Sequence, residues 1–128
     1  MTEGILKIFA DDTKAYSTVQ NDTDAQKLQQ CINDLTSWSE KWQLKFNSKK
    51  CKILHIGKNN PNFNYTINDG DTTNNLASTD CEKDLGVTTD PELNFDLHIQ
   101  NQVKKARQLS SLILRTISYK TIDVMLPY

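Results

Sequence analysis

Two adjacent carboxylates, Asp11 and Asp12, are the side chains of this sequence that are best suited to chemistry. They lie between the apolar stretches 5–8 and 15–19, which predicts a β-hairpin with the acidic pair at its bend. Mg²⁺ prefers carboxylate oxygens, and one or two of them with substrate phosphates can hold the ion. Aspartate is also common in solvated turns, and alone such a pair is more often structural. The pair is therefore a candidate metal site, and the neighbouring sequence decides between this interpretation and a structural turn.

The elements that must position this pair follow from apolar periodicity. We expect Asn21 or Asp22 to begin a long helix, because both residue types cap helix N-termini. We expect the apolar stripe of this helix to lie across a sheet, with both tryptophans in the core. The stripe consists of Ala25, Leu28, Ile32, Leu35, Trp38 and Trp42. The predicted elements are a hairpin over about 4–19, a helix over about 22–44, further antiparallel strands over about 50–57, 63–67 and 83–88, and a helix over about 97–118. The predicted fold class is α+β.

The second predicted helix combines an apolar face with a basic side. The expected inner stripe consists of Ile99, Val103, Ala106, Ser110, Ile113 and Ile117. Lys104, Arg107 and Arg115 line another side, where they could contact nucleic-acid phosphates. Most such basic stripes are only the solvated side of an amphipathic helix, so this is weak support for nucleic-acid binding.

Composition narrows the class of protein. The 128 residues fit one small domain or part of a larger one, and the net charge of −1 does not by itself indicate nucleic-acid binding. Six lysines and no acids nevertheless fall between residues 41 and 58. The spacing of Cys31, Cys51 and Cys81 fits neither a disulfide framework nor a zinc cluster, and His55 and His98 lack ligand partners. No apolar run is long enough for a membrane span, so we expect a cytoplasmic or nuclear protein.

The order of three motifs is more specific than any of them alone. Phe9-Ala10-Asp11-Asp12-Thr13 precedes the long helix, Leu44-Lys45-Phe46-Asn47-Ser48-Lys49-Lys50-Cys51 follows it, and Asp84-Leu85-Gly86-Val87 comes before the basic helix. This order resembles the C-terminal half of the palm and the start of the thumb in reverse transcriptases of non-LTR retrotransposons, of the LINE and jockey-like kind. The resemblance covers about Ile5 to Tyr128, with the palm over 1–90 and the thumb over 91–128.

The resemblance implies roles for the acidic pair and for the lysines that follow the helix. Asp11 would be a catalytic, metal-binding carboxylate and Asp12 its less critical neighbour, with Mg²⁺ or Mn²⁺ as the cofactor. Lys50 would lie near the phosphates of the incoming dNTP. Its neighbour Lys49 is a weaker candidate for contact with nucleic acid, and this follows from the lysine-rich stretch and not from the resemblance. From the residues alone, a lysine-rich strand entrance is as often a solvated face.

The resemblance also implies a primer grip and a partner. Leu85, Gly86 and Val87 would belong to the hairpin that holds the primer strand, although they could equally form a plain strand with a close approach at Gly86. The partners of the parent enzyme are an RNA template annealed to a DNA primer, and dNTP.

The family also uses an aspartate on an earlier strand, for which the ten residues before Asp11 offer no candidate. We therefore expect a fragment that binds metal weakly or not at all and is inactive alone, with an uncovered sheet edge through which it could self-associate. Two alternatives stay open: a non-catalytic nucleic-acid-binding module, and a non-functional remnant of a dead element.

Overall fold

The computed structural model describes residues 5–117, which contain two helices and eight short strands. In chain order the elements are β1 (Ile5–Phe9), β2 (Asp12–Tyr16), α1 (Asp22–Lys41), β3 (Lys52–Ile53), β4 (Thr66–Asp69), β5 (Thr72–Asn75), β6 (Ala77–Ser78), β7 (Glu82–Asp84), β8 (Val87–Thr89) and α2 (Asp96–Thr116). This mixture confirms the α+β class. Some predictions fall outside the described residues. They are the start of the hairpin at residue 4, the end of the second helix at 118 and the outer parts of both predicted domains.

The described strands pair two by two instead of forming one sheet. The pairs β1–β2, β4–β5 and β7–β8 are antiparallel hairpins with two-residue loops. The strand predicted over 50–57 was wrong in length and direction, because only Lys52–Ile53 is extended and it pairs with β6 in parallel. Residues 48–50 form a turn instead, in which the Lys50 N–H donates to the Asn47 carbonyl at 2.9 Å.

The other two predicted strands also differ from the structure. The strand expected over 63–67 begins only at Thr66, after Asn62 adopts a left-handed backbone with φ 55°. The stretch 83–88 is not one strand but a hairpin, because Leu85 and Gly86 turn the chain at φ 47° and 86°.

Helix α1 has well-formed ends. The Asn21 side chain accepts a hydrogen bond from the Asp24 N–H at 2.9 Å, which satisfies one of the free donors of the first turn. At the other end Gln43 is left-handed, with φ 57°, and the Leu44 N–H donates to the Ser39 carbonyl at 2.9 Å. This 6→1 bond closes the helix in a Schellman motif, so α1 ends at Lys41 and not at the predicted 44.

A small core lies between α1 and the strands that follow it. Ala25, Leu28 and Tyr65 are buried, and packed against them are Val19, Ile32, Ile53, Phe63 and Leu76. Placing Trp38 and Trp42 in the core was wrong, because both are exposed. In the C-terminal half of α1 the buried residues are instead Thr36 and Ser39, which lie beside the tip of hairpin β4–β5.

Helix α2 is amphipathic but uncovered. None of its residues is buried, so the expected inward orientation of its apolar stripe was wrong for the described part of the helix. It packs only on β8 among the described elements, where His98 Nδ1 accepts from the Thr88 N–H at 3.3 Å.

Candidate functional site

Hairpin β1–β2 places the first candidate carboxylate at its tip. The register pairs Phe9 with Asp12, so the loop between the strands is Ala10–Asp11. Asp11 is exposed in this loop, whereas Asp12 is already the first residue of β2. The predicted hairpin is thus confirmed, but only one of the two carboxylates stands at the bend.

The donor set at this tip fits part of a two-metal site. A pair of ions that stabilises in-line phosphoryl transfer needs carboxylates from more than one strand. Within residues 5–117, no group of three or more His, Cys, Asp or Glu side chains is placed to hold a metal ion. Asp11 and Asp12 could add two carboxylates to ligands from elsewhere, but the described residues do not complete a two-metal site.

The tip of hairpin β7–β8 carries an unusual residue. Leu85 adopts a left-handed backbone with φ 47° and leaves 62% of its surface exposed. A branched residue in this conformation costs about 1–2 kcal/mol, and the next residue, Gly86, is the type that accepts it freely. Leu93 and Phe95 are also exposed apolar residues with positive φ, at 57° and 59°, so this conformation alone does not single out Leu85 as a functional residue. Val87, the third predicted residue, opens β8 and is also exposed.

An ion pair joins the two hairpins. The Lys14 ammonium on β2 contacts the Asp84 carboxylate on β7, next to Leu85. The described elements β2 and β7 share no other packing, so this contact alone links the Asp11 hairpin to the Leu85 hairpin. Lys52 on β3 makes a second, longer pair with Glu82 at 3.8 Å. Sequence reasoning missed this contact, because 70 residues separate Lys14 from Asp84 and no local pattern signals it.

The predicted lysine contacts are not brought to either tip. Lys49 and Lys50 are exposed in the turn before β3, and no ion pair or side-chain hydrogen bond of the described residues joins them to hairpin β1–β2. Lys104, Arg107 and Arg115 are exposed on α2 together with the apolar stripe of that helix. Contact of these three residues with nucleic acid remains an expectation from the basic side of the predicted helix.

Asp90 organises the turn that leads from β8 into α2. Its carboxylate accepts hydrogen bonds from the backbone N–H groups of Glu92, Asn94 and Phe95 at 3.0, 3.1 and 2.8 Å. Desolvation acts to raise the pKa of Asp90, but the backbone donors together outweigh it and hold the pKa below the ordinary value. This carboxylate therefore serves the entry into α2, whose own N-cap, Phe95, provides no side-chain hydrogen bond.

No protein-family model matches the sequence, and neither a curated protein nor a solved structure matches it significantly. Of the described helices, neither α1 nor α2 is long and apolar enough to cross a membrane.

Proposed function

We propose that this chain is the C-terminal part of the palm, with the start of the thumb, of a non-LTR retrotransposon RNA-directed DNA polymerase. The parent reaction transfers a deoxynucleotidyl group from dNTP to a primer 3′-hydroxyl on an RNA template. Asp11 is the metal-binding carboxylate, Asp12 assists it, and Lys50 lies near the dNTP phosphates. The protein acts in the cytoplasm or the nucleus.

The observation that carries this proposal is the placement of Asp11. It stands exposed in a two-residue loop, on a hairpin that leads directly into a 20-residue helix. The Lys14–Asp84 pair supports the proposal as well, because it is a surface contact between the predicted primer-grip hairpin and the acidic one.

We further propose that the chain alone does not polymerise DNA. Two carboxylates bind magnesium weakly unless other ligands or substrate phosphates complete the shell. Every residue of β1 is exposed, which is expected of a strand that packs against a part of the enzyme outside the described residues.

The test is a primer-extension assay on an RNA template annealed to a DNA primer, with the four dNTPs and Mg²⁺ or Mn²⁺. The 128-residue chain should give no extension above its Asp11→Asn variant. The same chain joined to the protein sequence encoded in frame upstream of Met1 should extend the primer, and Asp11→Asn should lower its rate by about 100-fold or more.

Asp71→Asn is the matched control, because Asp71 is the second residue of another exposed two-residue hairpin loop. This variant of the extended protein should keep its activity. Extension that survives Asp11→Asn, or that is lost equally with Asp71→Asn, would contradict the proposal. An upstream sequence without an aspartate on a strand would contradict it as well.

A further inference from the structure

The two polar residues that are buried in the described part of the chain line the same cavity. They are Thr36 and Ser39, which expose 6% and 2% of their surface. The cavity has a volume of about 630 Å³ and lies between the C-terminal end of α1 and the tip of hairpin β4–β5. This volume falls within the range of small-molecule sites. We call it the polar cavity.

The hydroxyl groups of these two residues differ in their hydrogen bonds. The Thr36 hydroxyl donates to the Ile32 carbonyl at 2.8 Å, which is a common bond of threonine within a helix. The Ser39 hydroxyl makes no hydrogen bond with any residue between 5 and 117. No fully enclosed side-chain nitrogen or oxygen of the described residues lacks a partner, so the Ser39 Oγ must reach the polar cavity that its residue lines. A polar group that is buried to this extent normally has a hydrogen-bond partner, and a ligand in the cavity would supply one.

The charge around the polar cavity favours a cation. The acidic residues of the lining include Glu40 on α1 and Asp69 at the end of β4, and Lys45 is its one basic residue. Within residues 5–117 neither Glu40 nor Asp69 forms an ion pair, so the fold itself does not neutralise them. The Ser48 hydroxyl donates to Asp69 Oδ2 at 2.9 Å, which leaves Oδ1 available. The C-terminal end of α1 adds the negative end of the helix dipole, so an anion would be repelled here.

The acceptors suit an ammonium group better than a metal ion. Within the described residues no group of three or more His, Cys, Asp or Glu side chains is placed to hold a metal. A primary ammonium has three N–H donors, which can be shared among the Ser39 hydroxyl and carboxylate oxygens. The half-buried Phe46 also lines the cavity, and an aromatic ring packs favourably against alkyl chains and cations.

We propose that the polar cavity binds a linear diamine or polyamine. One ammonium donates to Ser39 Oγ and to a carboxylate, and the alkyl chain packs on Phe46. Glu40 and Asp69 belong to different elements, which suits a ligand with more than one ammonium group. The proposal holds whether or not the chain derives from a polymerase, and the primer-extension comparison of Asp11 does not measure it.

The experiment is a ¹H–¹⁵N NMR titration of the 128-residue chain with hexamethylenediamine, at about 50 mM salt. Hexamethonium is the matched probe, because it has the same charge and the same alkyl spacer but no N–H donors. The amides of Ser39 and Asp69 should shift as the diamine is added. The diamine should bind about tenfold more tightly than hexamethonium, since hydrogen bonds to a charged group account for the difference.

Variants of two lining residues separate the hydroxyl from the charge. Ser39→Ala should weaken binding of the diamine about tenfold and leave the affinity for hexamethonium unchanged. Glu40→Gln should weaken binding of both probes, because both carry positive charge. Ser37→Ala and Asp34→Asn are the matched controls, since both residues are exposed on α1 and neither lines the cavity. These controls should bind the diamine as the unchanged chain does.

A measurement without ligand separates a binding role of Ser39 from a structural one. Ser39→Ala should not lower the midpoint of thermal unfolding, because the hydroxyl has no partner in the described chain to lose. A lower midpoint would show that the hydroxyl serves the fold.

Three further results would overturn the proposal. The first is equal affinity for hexamethylenediamine and hexamethonium, which would mean that only charge acts. The second is unchanged affinity of the Ser39→Ala variant for the diamine. The third is no shift of the Ser39 and Asp69 amides, which would mean that the cavity takes only water. Far-UV circular dichroism of each variant verifies that it is folded.

Discussion

Hairpins β1–β2 and β4–β5 share a plan and differ in what surrounds them. Each joins two short antiparallel strands through a two-residue loop whose second residue is an aspartate, namely Ala10–Asp11 and Gly70–Asp71. Hairpin β4–β5 packs on α1, and its residue Ile67 is only 7% exposed. All residues of β1, in contrast, are exposed.

The loops of the two hairpins also differ in backbone strain. Gly70 accepts its φ of 62° without cost, because glycine has no Cβ. Ala10 holds a φ of 50°, where a Cβ is unfavourable. The hairpin that carries the candidate chemistry thus departs from the most stable sequence at its loop and along its strand. This comparison teaches that β4–β5 contributes to the core of the chain, whereas β1 leaves all of its side chains exposed.

The strongest test of this contrast is truncation of one isoleucine in each hairpin. Ile67→Ala should lower the free energy of unfolding by about 2–4 kcal/mol, because it removes a buried side chain from a small core. Ile8→Ala should change it by less than about 0.5 kcal/mol, since Ile8 is mostly exposed. Urea unfolding monitored by circular dichroism measures both. Equal losses would show that β1–β2 contributes to the core after all.

A polar clamp on β4 gives the next largest expected effect. The Gln29 side-chain amide donates to the Thr66 carbonyl and accepts from the Thr66 N–H, both at 2.9 Å, and so acts as a strand partner for the edge of β4. Gln29→Ala should cost about 1–3 kcal/mol, because it leaves both backbone groups of Thr66 without these partners.

Gln30→Ala is the control for this clamp. Gln30 is exposed and donates only to Asp34 within α1, at 2.8 Å, so its loss should cost about 0.2–0.5 kcal/mol. Thermal unfolding of the two variants in parallel gives the comparison. If both shift the midpoint equally, the hydrogen bonds to Thr66 add nothing beyond helix stability.

The two helices show which parts of the fold local sequence can predict. Both were located to within a few residues, because spacing of three and four residues is a local signal. The burial of their apolar stripes was predicted wrongly at several positions, since burial depends on which distant elements cover each face. Trp38 and Ile99 follow the apolar period of their helices and are nevertheless exposed.

The strand pairing and the candidate site also contain some features that local sequence predicts and others that it does not. The tip position of Asp11 followed from turn residues that are adjacent in sequence. The parallel pairing of Lys52 with Ala77 and the contact of Lys14 with Asp84 join distant residues without a helical or alternating pattern to reveal them. The positive φ of Leu85 could not be predicted, because leucine rarely adopts it.

Exchanging the loop residues tests the contrast at smaller energies. Ala10→Gly should stabilise the chain by about 0.5–1 kcal/mol, and Gly70→Ala should destabilise it by about 1 kcal/mol, because only glycine accepts these backbone angles freely. A Cβ at Gly70 would meet no atom within 4 Å, so the second effect is conformational and not steric. Urea midpoints that move in the same direction for both variants would contradict the proposed difference between the loops.

We expect acid to disrupt the entry into α2 before it disrupts hairpin β4–β5, because the entry into α2 depends on polar contacts and not on a core. The backbone N–H donors around Asp90 lower its pKa in the folded chain below the ordinary value of 3.8. A lowered folded pKa stabilises the fold above the ordinary value, and this contribution is lost as the pH falls through the lowered pKa. In a ¹H–¹⁵N NMR titration, the amides of Asn94 and Phe95 should therefore shift below about pH 4, before those of Ile67 in the packed hairpin. The Asp90→Asn variant should already show shifted amide signals of Asn94 and Phe95 at neutral pH. Simultaneous shifts of the Asn94, Phe95 and Ile67 amides in the acid titration would mean that α2 and hairpin β4–β5 lose structure together.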